Sequence, residues 1–410
     1  MRDIDYILDF CVNLSRNMVM SGANLERIHT AVNTVCRAYG LRDVSIFLLS
    51  THMSVGAVDG EGNYSSRQIS IPSSGIFLDR LRSLNQLSYK IAEITPAPKT
   101  LAQMLDRAMN VPDYPEYVVL GGKICAMLCL GIIFGATAWD ALPIVCITVL
   151  IHFLMSWLER TGLDRMLVNS LTMWSAASVA LVFIYSGFNG NFAVIMITVS
   201  MLVIPGIPLV NAMRNLLCGS EINGILQMLK ISVETMALAL GIYAAFLMFG
   251  VESMISPPIS APTNPGLLIG LSFVASVGFG VVFRIPLKDL WLAGLGGALS
   301  RISVIYLPGI IAGRFGYMTL SASVAALYAE FLAIKRKQPS TYFVYPSIIP
   351  LIPGDLFYYA ITGIYLGARE WVETNGVNCL ISLAGLSMGF VLASTVAIHL
   401  RRGKYRLFGK

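Results

Sequence analysis

An aspartate inside a segment of membrane-spanning length is the residue of this sequence best suited to chemistry. Asp355 follows Pro353-Gly354 near the centre of residues 343–366, which are otherwise apolar enough to cross a bilayer. An ionised carboxylate there is costly, so it must face a wet cavity, pair with a cation or take up a proton. Such a group suits the binding of a solute ammonium group and proton coupling. The plainer alternative is a helix cap, in which the carboxylate accepts amide hydrogen bonds after the break.

The break before this aspartate occurs twice in the chain. Ile204-Pro205-Gly206 and Ile352-Pro353-Gly354 lie 148 positions apart, each inside an apolar stretch. Proline removes a backbone donor and glycine weakens a helix, so each segment is predicted to be interrupted in mid-span. Paired interruptions in two halves are typical of transporter binding sites. Only the second break carries a carboxylate, because Ile207 stands at the position that matches Asp355. The same spacing separates Gly219 from Gly367 and Gly241 from Gly389.

Polar side chains that follow each break are further candidates for solute binding. Asn211 and Asn215 share one helix face after the first break, and Tyr358 and Thr362 share one after the second. They can hydrogen-bond a solute beside the unwound backbone. They can equally join neighbouring helices, as amides commonly do in membranes. Both interpretations stay open.

Ionisable residues elsewhere in the apolar segments are weaker candidates. His152 lies inside the second segment, while Glu234 and Glu330 lie near segment ends, and all three are candidate proton relays. A packing role for the histidine and reach to the interface for the glutamates are the alternatives. Arg214 closes the first broken segment, where it either attracts an anionic group or anchors a cytoplasmic end.

Composition predicts a polytopic α-helical membrane protein. Hydrophobic residues make up 56% and charged residues 13% of the 410 residues, against about 25% charged in an ordinary soluble domain. About ten apolar segments meet the roughly 20-residue length of a membrane helix. They are residues 118–138, 141–158, 166–186, 193–217, 229–250, 265–283, 287–306, 316–334, 343–366 and 378–400. Lys123 and Arg301 are expected to extend their side chains to the membrane interface.

The apolar segments divide into two halves behind a polar N-terminal part. Residues 1–117 are predicted to form a small cytoplasmic α+β domain. Basic residues concentrate in the loops on its side of the membrane, and only Arg314 and Arg369 fall on the other side, so both termini are predicted to be cytoplasmic. Five segments per half make residues 118–255 and 256–410 inverted repeats, the second with a basic cytoplasmic tail.

Motifs of other function classes are missing from the sequence. There is no phosphate-binding Gly-Lys-Ser/Thr loop, no recognisable nucleophile arrangement and no spacing of cysteines and histidines that indicates a metal set. We therefore expect neither an enzyme nor a cofactor or metal. The net charge of +6 falls mainly in short loops, which argues against nucleic acid as a partner.

Short motifs give the chain a resemblance to a known family. The residues that resemble threonine/serine exporters are Ser21-Gly22-Ala23, Glu26-Arg27-Ile28, Ala38-Tyr39-Gly40, Arg67, Ile71-Pro72, Leu81, Asn85, Leu87 and Ile204-Pro205-Gly206. The second half, with Ile352-Pro353-Gly354-Asp355, resembles the smaller partner domain of the same family. The resemblance implies a cytoplasmic-membrane exporter of threonine and serine driven by the proton motive force. Relatives that occur as two chains have been linked to export of a dicarboxylate, succinate.

Several functions therefore remain open from the sequence. The leading one is a secondary exporter whose partners are a small solute (threonine, serine or a small carboxylate), protons and the lipid bilayer. In it Asp355 holds the ammonium group of the solute. Dicarboxylate export is the rival within the same class and favours a role for Arg214. A passive channel or a ligand-sensing membrane protein is the alternative of another class, and a homo-oligomer is open.

Overall fold

A computed structural model describes residues 3–48, 52–71, 75–217, 220–250, 262–336, 338–365 and 367–407. The predicted boundary between the halves, at residues 255 and 256, lies outside these ranges, as does Gly219. The chain forms two compact units. The N-terminal unit contains residues 1–114 together with 283–287 and 331–343, and the other unit contains 115–282, 288–330 and 344–410.

Helices on a small sheet build the N-terminal unit, so the predicted α+β fold of this part is confirmed. Its elements are α1 (Asp3–Met20), α2 (Leu25–Ala38), β1 (Arg42–Leu48), β2 (His52–Val58), β3 (Tyr64–Ser70), α3 (Leu78–Ile94) and α4 (Leu101–Met109). The strands pair antiparallel in the order β1-β2-β3. Cys11 and Cys36 are buried free thiols whose sulfurs lie 3.7 Å apart. The hydrogen bond with Cys36 and burial raise the pKa of Cys11 well above its ordinary value, so this cysteine stays a neutral packing residue.

A short segment from the second half of the sequence completes the core of the N-terminal unit. The Leu78 N–H donates to the Phe283 carbonyl at 2.9 Å, and the Tyr114 hydroxyl donates to the Ile285 carbonyl at 2.7 Å. Burial raises the pKa of Tyr114, which keeps the hydroxyl protonated as a donor. Phe283 and Ile285 are both buried. Residues 283–287 therefore belong to this unit as packed structure.

Twelve helices follow from residue 116 onward in the described part of the chain. They are α5 (Glu116–Ile133), α6 (Ala138–Arg160), α7 (Arg165–Tyr185), α8 (Phe192–Ser200), α9 (Gly206–Leu217), α10 (Glu221–Phe249), α11 (Pro265–Val282), α12 (Leu290–Tyr306), α13 (Arg314–Arg336), α14 (Thr341–Ile348), α15 (Gly354–Tyr365) and α16 (Arg369–Leu407). Within the described residues, eight helical segments are long and apolar enough to cross a membrane. Helices α14 and α15, bent by 59° at their break, pass the same test together and bring the count to nine where the pair is taken as one span. The prediction of a polytopic helical membrane protein is confirmed.

The described part of the structure has fewer membrane spans than the ten predicted segments, and the difference lies in the fourth predicted segment. Residues 193–217 form two short helices, α8 and α9, separated by residues 201–205, so neither helix is long enough to span alone. The predicted interruptions are thus present in both halves. In the second interruption a 3-10 helix, Ile349–Leu351, continues α14, so that two residues separate it from α15.

Helix α6 shows how the spans meet lipid. Trp139 and Trp157 lie near its two ends and are 57% and 62% exposed, and Leu142 and Phe153 are exposed between them. At 1.5 Å per residue the two tryptophans are about 27 Å apart. That separation is close to the hydrocarbon thickness of about 30 Å, at whose edges tryptophan is enriched. This face of α6 therefore matches the cross-section of a bilayer.

The two halves of the helix series repeat each other element by element. Helices α5 and α11 each contain 18 residues and begin 149 positions apart. Helices α9 and α15 each contain 12 residues and begin 148 positions apart. The first helix of each half, α5 and α11, pack together in antiparallel fashion: Gly122 faces Gly278 and Val281, while Gly278 faces Gly122 and Ala126. Antiparallel packing of corresponding helices is what inverted repeats require.

A predicted glycine pair marks the same helix crossing in both halves. A Cβ on Gly241 of α10 would overlap the Ser170 carbonyl of α7. A Cβ on Gly389 of α16 would overlap the Thr319 carbonyl of α13, and Thr319 lies 149 positions after Ser170. In each half, the fifth span therefore packs against the third through a glycine that permits backbone contact.

Alanine at either crossing glycine is expected to destabilise the protein. In Gly241→Ala or Gly389→Ala the new methyl group meets a helix backbone, and overpacking of this kind costs about 1–3 kcal/mol. Both variants should unfold at lower temperature than the unmodified protein in detergent. Gly121→Ala is the matched control, because nothing lies within 4 Å of its Cβ position. Unfolding of all three variants at the original temperature would contradict the close packing.

Candidate functional site

The two breaks have the same backbone structure. In Ile204-Pro205-Gly206 the glycine N–H donates to the isoleucine carbonyl at 2.8 Å, and in Ile352-Pro353-Gly354 the same bond is also 2.8 Å. Each is a three-residue turn around the proline. The N–H groups of Leu209 and Phe357 then donate to the proline carbonyls at 2.9 and 3.1 Å, which starts α9 and α15. The prolines thus end one helix and begin the next.

The breaks also pack against each other, and the contact is reciprocal. A Cβ on Gly206 would lie 3.0 Å from side-chain atoms of Ile352. A Cβ on Gly354 would overlap the side chain of Met201, which precedes the first break. All four residues are buried. Each glycine therefore accommodates a side chain from the opposite break, and the structure brings Pro205-Gly206 and Pro353-Gly354 to one place.

Asp355 lies at this meeting point, in the first turn of α15, and is partly buried. Within the described residues no group donates a hydrogen bond to its carboxylate or lies within ion-pair distance of it. The helix-cap alternative thus has no hydrogen bond to support it in this part of the chain. The carboxylate acts electrostatically on Arg301 of α12, Tyr359 of α15 and Cys379 of α16. Two of these residues, Arg301 and Cys379, belong to other helices of the second half.

Arg301 is a functional candidate that the sequence reasoning missed. Its Nε donates to the Ser272 hydroxyl on α11 at 2.9 Å, and Ser272 is fully buried. The side chain therefore turns inward, whereas we expected it to reach the interface. A hydroxyl acceptor and a nearby carboxylate charge explain the difference, because both stabilise the guanidinium inside the protein.

The two asparagines after the first break contact different helices. The Asn211 amide donates to the Tyr345 hydroxyl on α14 at 3.1 Å, which links the two broken segments. The Asn215 amide donates to the Gln227 side chain on α10 at 2.9 Å. Arg214 interacts electrostatically with Tyr345. Asn211 and Arg214 thus lie at the junction of the broken segments, whereas Asn215 joins neighbouring helices of one half.

The residues predicted after the second break pack within their own helix. The Thr362 hydroxyl donates to the Tyr358 carbonyl at 2.7 Å. The ring of Tyr358 meets that of Tyr359 edge to face, with centroids 5.7 Å apart, and Tyr359 meets Trp371 in the same way. Tyr359, next to Asp355, is thereby held by a partner on each side. The packing places Tyr359 rather than Thr362 beside the carboxylate.

His152 belongs to a charged cluster on α5 and α6. Its Nδ1 lies 3.1 Å from the Lys123 ammonium group, and its Nε2 lies 3.4 Å from a Glu116 carboxylate oxygen. The imidazole is buried, while the Glu116 side chain is 70% exposed. The histidine thus connects an exposed carboxylate with a cation deeper in the helix pair. Glu234 and Glu330 lie partly buried on α10 and α13, and their relay roles stay predictions.

The Lys123–His152 pair and the Ser272–Arg301 pair occupy equivalent places. Each pair joins the first and second spans of its half, and its members are 29 positions apart. Ser272 follows Lys123 by 149 positions, as Arg301 follows His152. Each half therefore carries a hydrogen-bonded cationic pair at the same helix crossing. This shared spacing is the signal by which the sequence could have revealed both pairs.

The sequence reasoning overlooked two buried carboxylates, and the first of them has a structural role. Asp140 accepts hydrogen bonds from the Thr137 N–H and hydroxyl and from the Asn191 N–H. It completes a capping box at the start of α6 and holds the loop before α8. Asp289 lies 149 positions later, buried at the start of α12. The Thr-x-x-Asp pattern at residues 137–140 was a sequence signal for the first of them.

Comparison with known proteins shows which family the chain belongs to. The family described as "Putative threonine/serine exporter" matches residues 9–249, and the family described as "Threonine/Serine exporter, ThrE" matches residues 269–396. The first match alone spans more than half of the sequence. The chain belongs to the threonine/serine exporter family. The resemblance found in the sequence is therefore confirmed.

One curated relative of this exporter-family chain is the "Probable threonine/serine exporter" of Mycobacterium tuberculosis. The two are 23% identical over 98% of this chain and 78% of the relative. No solved structure matches the chain. The first family match covers most of the N-terminal unit and the helices up to the end of α10, and the second begins within α11.

The reciprocal packing of the breaks predicts an energetic coupling between Met201 and Gly354. Gly354→Ala forces its methyl into the Met201 side chain and Met201→Ala leaves a cavity, so each should lower stability alone. The double variant should lose less than the sum of the two, by about 0.5–3 kcal/mol. Thermal unfolding of the purified protein in detergent measures this.

Gly376→Ala is the control for that cycle. Its Cβ position is 3.9 Å from the nearest atom, in Ala360, so its effect should simply add to that of Met201→Ala. If the stability losses of Gly354→Ala and Met201→Ala also added, the two breaks would not share this contact.

Proposed function

We propose that this protein is a secondary exporter of the small amino acids threonine and serine across the cytoplasmic membrane. The observation that carries the proposal is the reciprocal contact of the two broken helices, Gly206 against Ile352 and Gly354 against Met201. Discontinuous helices that meet in this way are where transporters hold their solutes. Membership of the exporter family supports the same direction of function.

The chemistry at the breaks suits a zwitterionic solute. Asp355 supplies a carboxylate with no ion-pair partner in the described chain, and an ammonium group can neutralise it. Helices α9 and α15 both begin at the breaks, so their first N–H groups and positive dipole ends lie beside that carboxylate. The polar groups at the junction, Asn211 and Tyr345, add hydrogen-bonding capacity. Together these groups serve both ends of an amino acid.

Proton coupling follows from the same carboxylate in this proposal. Asp355 can hold either a proton or a solute ammonium group, so exchange of one for the other links the two fluxes. His152 between Glu116 and Lys123 offers a second titratable group and is the better supported of the candidate relays. The distribution of basic loop residues supports cytoplasmic termini, and in this proposal export runs from the side of the N-terminal unit.

Asp355→Asn is expected to abolish proton-coupled threonine export. The amide cannot titrate and lacks the charge that binds an ammonium group, a charge-assisted interaction worth about 1.5–3 kcal/mol. Efflux against a threonine gradient, driven by a pH gradient in vesicles reconstituted with the full chain, should fall at least about tenfold. Efflux by the Asp355→Glu variant should keep the pH dependence of the unmodified protein. Unchanged uphill efflux by the Asn variant would remove Asp355 from the mechanism, and purely downhill flux by the unmodified protein would indicate a channel.

A second candidate substrate is a dicarboxylate such as succinate. The observation that favours it is the position of Arg214, which acts on Tyr345 at the junction of the broken segments. The second carboxylate of a dicarboxylate would need a cation such as Arg214 as its partner.

Arg214→Gln tests the dicarboxylate alternative. If threonine is the substrate, this variant should retain threonine counterflow to within about threefold, since no charge-assisted bond to the solute is lost. If succinate is the substrate, its counterflow should fall at least about tenfold in the same vesicles. Lys230→Gln is the matched control, because Lys230 is exposed on α10. Succinate counterflow that exceeds threonine counterflow and collapses in Arg214→Gln alone would favour the dicarboxylate.

A further inference from the structure

Arg301 and Asp355 form a separated pair of opposite charges within the second half. Arg301 lies on α12 with its Nε bound to Ser272, and Asp355 is the second residue of α15. The two interact electrostatically. Within the described residues they nevertheless form neither an ion pair nor a hydrogen bond with each other. Both side chains are partly buried among apolar helices.

Two partly buried opposite charges that do not touch are in an unfavourable position unless a bridging group contacts both. Each charge has lost part of its hydration, and only direct contact or a bridging group returns the full electrostatic stabilisation. A molecule that carries an ammonium group and a carboxylate on one carbon can contact both residues at once. A single free anion or cation would satisfy only one of them.

The crossing of α11 and α12 offers a further polar atom next to Arg301. Ser276 lies one turn after Ser272, is fully buried, and its hydroxyl has no hydrogen-bond partner in the described structure. A Cβ on Gly297, one turn before Arg301, would overlap this hydroxyl, so only glycine leaves room for it. A buried hydroxyl without a partner costs free energy unless a ligand supplies a hydrogen bond.

The position of Arg301 is fixed relative to the broken segment. Its neighbour Ser300 donates to the Ser347 carbonyl on α14 at 2.6 Å, and α14 leads directly into the second break. The Tyr328 hydroxyl of α13 donates to the Leu292 carbonyl of α12 at 2.8 Å. Helix α12 is thus attached by hydrogen bonds to both helices that precede Asp355 in the sequence.

We propose that Arg301 binds the carboxylate of the exported solute while Asp355 binds its ammonium group, which restricts the substrates to amino acids with both groups free. The inference rests on the proposed export function and names the residue that selects for the carboxylate. The first half cannot do the same, since Ile207 replaces the aspartate and Lys123 with His152 replaces the serine–arginine pair. One solute per chain follows from this asymmetry.

The test compares three inhibitors of labelled threonine counterflow in vesicles that contain the full chain. Threonine has both charged groups, threoninamide lacks the carboxylate charge, and 3-hydroxybutyrate lacks the ammonium group. In Arg301→Gln the half-inhibitory concentration of threonine should rise about tenfold or more, while that of threoninamide stays within about twofold. In Asp355→Asn the preference for threonine over 3-hydroxybutyrate should be lost instead.

Two further variants distinguish a loss of binding from a loss of folding. Arg301→Lys retains a cation and should recover part of the threonine affinity, which a loss of folding would not allow. Arg369→Gln is the control, because this arginine is 89% exposed and pairs only locally with Glu373. A measurement of the melting temperature with and without threonine reports binding even where transport is lost.

The outcomes separate the inference from the function beneath it. If Arg301→Gln raised the half-inhibitory concentrations of threonine and threoninamide equally, the inference would be overturned. Arg301 would then stabilise the structure without contacting the carboxylate. A threonine-induced rise in melting temperature of normal size in that variant would also overturn the inference. If the unmodified protein shows no threonine counterflow, the proposed function itself fails, whatever Arg301 does.

Discussion

The structure of the second unit depends on one constraint, that two interrupted helices must satisfy their backbone without help from lipid. The chain meets it by a tight turn around each proline and by placing the two turns against each other. Gly206 and Gly354 make that approach possible, because each receives a side chain from the opposite break. Helix α9 packs with α13, α14 and α16 in one apolar cluster.

The two halves share the same backbone arrangement around this contact but carry different charged side chains. Helix bounds, proline turns and glycine crossings repeat at offsets of 148 or 149 positions. The charges do not repeat in kind, since the first half has Lys123 and His152 where the second has Ser272 and Arg301. In the proposed function, the charged groups that bind the solute come from the second half, and the first half supplies a titratable cluster.

The sequence was sufficient for features that depend on local chemistry. The two Pro-Gly breaks, the carboxylate after the second and the Gly241–Gly389 pair all follow from residue types and a common spacing. It was not sufficient for pairings across helix crossings, since a long side chain such as Arg301 can turn inward or outward from the same position. The first broken segment also failed to count as a span, because its five-residue interruption is not helical, whereas the 3-10 helix Ile349–Leu351 extends α14 in the second.

The N-terminal unit includes residues 283–287 and 331–343, which the chain supplies only after the whole first half and α11 have been made. Ile285 and Tyr342 are among its buried residues. A polypeptide divided between residues 250 and 262 would therefore leave the first fragment with an incomplete core and the second with apolar segments exposed to water. Gene fission at that point would create two chains bound together by shared folding as well as by membrane contacts.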